Sequence, residues 1–188
     1  MIDFTKALSI SLLIFLFSCS QDYTPKPRAY PRIDLPEHVY ASYDSDCPFT
    51  FNHSEITSVN VAKKDQPCWL NIDYPSLRCR IHMSYKAVDN NLAKLIEDSR
   101  TLVYKHTIKA SAINQRDIID EDKNLYARIY EINGDAASSV QFYATDSLKH
   151  FLRGALYFNA ASNADSLQPA IDFVREDVTE LVNSIAWK

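Results

Sequence analysis

Residues 79–85 alternate without a break. Cys79, Ile81, Met83 and Tyr85 fall on one side of an extended chain, and Arg80, His82 and Ser84 fall on the other. A period of two fits a strand with one face in an apolar core. Shorter stretches of the same kind include Phe49–Phe51, Val59–Val61 and residues 69–74. Further along, residues 125–132 and 138–145 form two alternating runs joined through Asn133 and Gly134, a dipeptide that tolerates positive φ and marks a hairpin. Asp135, Ala136 and Ala137 lengthen that loop. Residues 151–158 are largely apolar on both faces, as expected of a central strand.

Two segments break this period. Leu92, Leu95, Ile96, Ser99, Leu102, Val103 and Ile108 lie near one helical stripe, with Asp89 or Asn90 as its cap. At the end of the chain, Leu167, Ala170, Ile171, Val174, Val178, Leu181, Val182 and Ile185 hold a spacing of three and four over five turns. Asp165 or Ser166 caps that helix, and Pro169 is tolerable in its first turn. Residues 109–122 are polar and read as a loop. Strands first, one helix in the middle, hairpin-linked strands and a closing helix predict an α+β fold: a mainly antiparallel sheet with two principal helices packed on it.

The first residues stand apart from this pattern. Lys6 precedes a mainly apolar run over residues 7–17, with Ser9 and Ser11 as its polar members, followed by Ser18 and Cys19. The run is shorter than the roughly 20 residues that span a bilayer and matches the hydrophobic region of a signal peptide. A cysteine directly after a small residue marks a lipoprotein cleavage box, so acyl chains are expected on Cys19. Two or more chains hold a protein stably at a membrane. Residues 22–36 carry Pro25, Pro27, Pro31 and Pro36 and show no hydrophobic period. Extended at about 3.1 Å per residue, such a leash reaches roughly 40 Å. Ile33 and Leu35 alternate with polar neighbours and are expected to open the first strand. The expected organisation is a signal peptide over 1–18, a lipid-anchored tether over 19–32 and one globular domain over 33–188.

The formal charge of -4 leaves no basic footprint for nucleic acid. Beyond Cys19, three thiols remain in an exported, disulfide-permissive context. Of the three single pairings, Cys47 with Cys68 is favoured, because both sit beside proline at segment boundaries. Cys79 lies mid-strand as a small hydrophobe. The alternative is three buried free thiols.

Catalytic signatures are sparse. Only two glycines occur, Gly134 and Gly154, which excludes nucleotide-binding glycine loops and the nucleophile elbow. The five histidines show no paired spacing for a metal, so no metal or cofactor is expected. Cys79 and His82 fall on opposite strand faces and cannot form a nucleophile pair. The carboxylate pairs Glu121/Asp122 and Glu176/Asp177 read as solvated charges. Lys105, His106 and Lys109 end the middle helix, either complementing its dipole or forming a docking patch for an acidic partner.

Taken in order, the segments Tyr23-Thr24-Pro25-Lys26-Pro27-Arg28, Arg32-Ile33-Asp34-Leu35-Pro36, Cys47-Pro48-Phe49, Cys68-Trp69-Leu70-Asn71 and Ile81-His82-Met83-Ser84-Tyr85-Lys86 resemble the GldD family of gliding-motility lipoproteins of Bacteroidota. The later segments 104–109, 136–139, 141–142, 145–147 and 150–158 extend the resemblance through nearly the whole mature chain. It departs at Ala29 and Pro31, where the family pattern has a glycine and an aromatic residue. The resemblance implies a non-enzymatic envelope lipoprotein required for surface gliding and linked to type IX secretion. It also implies partners among other gliding and secretion proteins. An outer-membrane anchor facing the periplasm is favoured. The alternative is a ligand-binding or hydrolytic envelope domain with a polar pocket. Candidate residues for a docking or ligand patch are His82, Lys105, His106, Lys109, His150 and Arg153.

Overall fold

A computed structural model describes residues 34–159 and 164–188. The leader, Cys19 and the proline-rich segment through Ile33 lie outside the described residues. The strands are β1 (Tyr40–Tyr43), β2 (Phe49–Ser54), β3 (Ser58–Lys63), β4 (Gln66–Tyr74), β5 (Cys79–Ala87), β6 (Ala110–Asp120), β7 (Leu125–Gly134), β8 (Ser138–Thr145), β9 (His150–Phe158) and β10 (Ala186–Trp187). The helices are α1 (Leu92–Tyr104), extended by a 3₁₀ turn over Lys105–Ile108, and α2 (Ala164–Asn183). This is the expected α+β architecture, with antiparallel pairing throughout the described strands.

Seven strands form the main sheet in the order β3-β4-β5-β9-β8-β7-β6. β9 is therefore the middle strand, as its apolar faces predict. A small sheet, β1-β2-β10, closes with the chain end: Trp187 pairs with Phe49. One face of the main sheet receives α2 and Phe49 and Phe51 of β2. Its core contains Leu70, Ile72, Ile81, Met83, Ile129, Phe142, Leu152 and Leu156 against Val174, Val178, Leu181 and Val182. The opposite face carries a smaller core, in which α1 places Leu95 and Val103 on Tyr130, Ile132, Tyr143 and Phe151. Buried from both sides, β8 is covered along its whole length.

Several local expectations are corrected. The polar stretch 109–122 is largely β6, an eleven-residue edge strand. Water reaches most of its side chains, so no apolar period betrays it, and its ladder to β7 supplies the order. Charges on an edge strand also discourage pairing with foreign strands. Asp117 meets its cross-strand partner Arg128 at 2.5 Å, while Arg116 donates to Thr179 Oγ1 of α2 at 2.8 Å. Helix α1 begins after Asn91 rather than at Asp89 or Asn90; Asn91 Oδ1 accepts from the Asp89 amide at 3.0 Å. The 3₁₀ turn swings Ile108 off the stripe to 92% exposure. Helix α2 already includes Asp165 and Ser166, so neither precedes it as a cap. The first strand starts at Tyr40, not near Leu35, which packs on the main core without pairing.

Cys47 and Cys68 are disulfide-bonded with Cα atoms 5.5 Å apart, joining the approach to β2 with β4. Cys79 is a buried free thiol.

Glu176 and Asp177 do not share a fate. Asp177 is 2% exposed, which overturns its assignment as a solvated charge. Its carboxylate accepts from the Tyr74 hydroxyl at 3.0 Å and contacts His38 Nδ1 at 2.7 Å. His38 also reaches the exposed Glu176 at 3.0 Å through Nε2 and stacks on Phe173 at 4.2 Å. Burial, and then the Asp177 charge, push the Tyr40 and Tyr74 phenols well above the ordinary tyrosine range, so both keep their protons. A buried carboxylate is tolerable only with such partners.

Two substitutions test this packing. Asp177→Ala should remove about 3 kcal/mol of stability by stripping the hydrogen-bond acceptor from Tyr74 and His38. Glu176→Ala should stay within about 0.5 kcal/mol. Urea denaturation of the two variants checks the difference. At Gly154, a Cβ would run into the ring of Phe142, its cross-strand partner. Gly154→Ala should therefore cost about 2 kcal/mol through overpacking, read as a lowered Tm with near-native secondary structure.

Candidate functional site

The two helices leave part of the main sheet open. Helix α1 contacts β8 and β9, so the β3-β4-β5 half of its face stays outside the α1 core. Antiparallel register fixes which residues share that open face. His82 is opposite Asn71 on β4 and Ala155 on β9, Arg80 is opposite Asp73, and Ser84 is opposite Arg153. Strand alternation sends Ile81, Met83 and Leu152 into the α2 core and turns their neighbours outward.

Two depressions indent this surface, and His82 lines both. The larger, about 650 Å³, is bordered by Asp73, Arg80, His82, Tyr157 and Asn159. The smaller, about 470 Å³, is lined by Lys63, Trp69, Asn71, His82, Ser84 and Arg153. Such volumes suit small-molecule ligands. In the larger one Asp73 is neutralised by Arg80, its cross-strand partner. In the smaller one Lys63 lies over the Trp69 ring, 5.0 Å from its centroid, and the Trp69 indole donates to Tyr85 O at 3.1 Å.

His82 Nδ1 contacts Asn71 Oδ1 at 2.7 Å. Partial desolvation and, after it, the Arg80 guanidinium lower the His82 pKa below the usual histidine value. The imidazole is thus neutral near pH 7, with Nδ1 donating to Asn71 and Nε2 left as an acceptor. Arg153 Nη2 donates to Gln141 Oε1 at 2.5 Å. Desolvation lowers the guanidinium pKa without discharging it.

The candidate residues separate into three places. His82 and Arg153 line the same depression. His106, in the 3₁₀ turn after α1, feels Arg153: desolvation first, and then that guanidinium, lower its pKa. Lys105 borders a shallow dip with Glu97, Arg100, Thr101 and Tyr104, and Lys109 follows the turn as an exposed residue. His150 lies on the opposite sheet face, stacked on Trp187 at 5.3 Å and bonded to the Tyr85 hydroxyl at 2.8 Å. Parity along β9 enforces this split, since residues 150 and 153 cannot share a face of a regular strand. Cys19 lies outside the described residues.

Sequence reasoning missed Trp69, Asn71 and Gln141, whose roles follow from the pairing of β4 and β8 with their neighbours. Asp177 had a local signal: it sits three residues after Val174 and four before Leu181, on the apolar stripe.

The chemistry available to these groups is limited. Burial, with smaller effects of Asp177 and Asp73, pushes the Cys79 thiol up to about 12, so it is not a thiolate near neutrality. Among the described residues, no group of three His, Cys, Asp or Glu side chains is placed to hold a metal ion. No helix among them is long and apolar enough to cross a membrane.

No curated protein matches the chain. The family model described as gliding motility lipoprotein GldD matches residues 20–187, nearly the whole sequence. The chain belongs to the GldD family of gliding motility lipoproteins.

Proposed function

We propose that this protein is a non-enzymatic accessory component of the gliding machinery and its associated type IX secretion apparatus. Acyl chains on Cys19 hold it in the cell envelope, with the outer membrane and a periplasmic orientation favoured. A signal peptide over 1–18 is removed, residues 19–32 form the leash, and the domain over 33–188 docks to other motility or secretion components. The observation carrying this reading is the family match, which runs from the residue after Cys19 to Trp187. The apolar run and small residue before Cys19 supply the anchor chemistry. A permanent anchor and a short leash raise the effective concentration of a binding domain near its partners. The disulfide is consistent with an oxidising compartment. The high pKa of the Cys79 thiol disfavours Cys79 as the nucleophile of a hydrolytic alternative.

Three measurements test the proposal. A strain lacking the protein should lose surface spreading and adhesin secretion; unchanged spreading and secretion would refute the accessory role. In envelopes crosslinked before lysis, the wild type should bring down motility or secretion components. Cys19→Ala should leave the membrane fraction, and equal membrane recovery of the two forms would refute the anchor.

A further inference from the structure

Arg153 poses an electrostatic problem that the fold alone does not solve. Its guanidinium is half-buried, and no carboxylate pairs with it among the described residues. Its contact with Gln141 is a neutral one. Arg153 Nε and Gln141 Nε2 are both buried donors with no acceptor among the described residues, and Gln141 is 1% exposed. Burying a cation is costly unless a counter-charge and hydrogen bonds compensate.

The depression that Arg153 lines gives the missing counter-charge a place to sit. Lys63 stands on its wall as a second cation, and no carboxylate borders it among the described residues. A planar guanidinium is well suited to carboxylates and phosphates. The remaining wall is not built for a bare anion. His82 Nε2 offers a lone pair, which attracts a hydroxyl and repels negative charge. Asn71 and Ser84 add polar groups, and Trp69 adds an aromatic body. The space of about 470 Å³ far exceeds a lone phosphate and admits a sugar unit.

We infer that this depression binds an acidic saccharide, with its carboxylate paired to Arg153 in the field of Lys63 and a ring hydroxyl donated to His82 Nε2. The inference goes beyond the motility role and does not rest on it. The ligand completes the counter-charge that Arg153 lacks, and Gln141 holds the guanidinium in place from behind. The site is a recognition site, because the reactive thiolate, metal centre or paired carboxylates of a glycan-cleaving centre are not assembled around it by the described residues.

The two tryptophans make the test direct. Trp69 lines the depression, whereas Trp187 packs against Phe49 and His150 on the other side of the sheet. Their indole N–H resonances can be followed by NMR while the folded protein is titrated with D-glucuronate, D-glucose or inorganic phosphate. Glucuronate should shift the Trp69 signal saturably and leave Trp187 in place. Glucose, which lacks the carboxylate, should bind at least about tenfold more weakly. Arg153→Gln should weaken glucuronate binding by about tenfold or more, and Lys63→Gln, at the sheet edge, by about threefold. If Arg153→Gln does not fold, Lys63→Gln decides alone. No saturable Trp69 shift with glucuronate overturns the inference, as does undiminished binding by Lys63→Gln. Phosphate binding as tight as glucuronate binding also overturns it, marking an adventitious ion only.

Discussion

A carboxylate in the middle of an apolar helix stripe organises one side of this protein. Asp177 would be a severe defect if it were merely buried. Tyr74 from β4 and His38 from the segment before β1 converge on its two oxygens. The main sheet, α2 and the amino-terminal strap are therefore joined through one buried charge. Hydrophobic burial supplies most of the drive to fold, but it does not specify where a strap with little regular structure should lie. Charge-assisted hydrogen bonds do, because their geometry is narrow and the penalty for breaking one inside a protein is large. The stacking of His38 on Phe173 adds an apolar contact at the same place.

The two sheet faces then take different roles. One is packed by α2 and the small β1-β2-β10 sheet. The other is occupied by α1 only across β8 and β9 and their neighbours, and the rest presents polar side chains to solvent. This asymmetry follows from the chain order: a single helix lies between β5 and β6, and one helix is too narrow to cover seven strands. The open half is where His82, Asn71, Trp69 and Arg153 meet. The family assignment gives the protein its place in gliding motility, and the open face gives that place a chemical surface.

Much of the architecture was legible because the periods were clean. The alternation at 79–85, the hairpin around Gly134 and the stripe of α2 each reflect a one-sided apolar environment. β6 was opaque for the converse reason: solvated on most of its length, it carries no period, and its ladder with β7 is a tertiary fact. Polar-site geometry was harder to foresee. His82 and Arg153 lie 71 residues apart, and only the register Ser84↔Arg153 places them on one face. The same register sends His150 to the other side. Asp177 was readable from its helical position beside Val174 and Leu181, but as a neighbour of Glu176 it looked solvated. Successive helix residues point about 100° apart, so adjacent carboxylates need not share an environment.

The strap between Asp34 and Val39 also has a mechanical meaning. Tension entering from the amino-terminal side reaches His38 before it reaches any strand. Leu35 on the main core and His38 on Asp177, Glu176 and Phe173 stand ahead of the four-residue ladder of β1 on β2. The seven-stranded sheet and its open face lie behind both. A pull from the amino-terminal side therefore loads this strap and the short β1 ladder before it loads the open face of the main sheet.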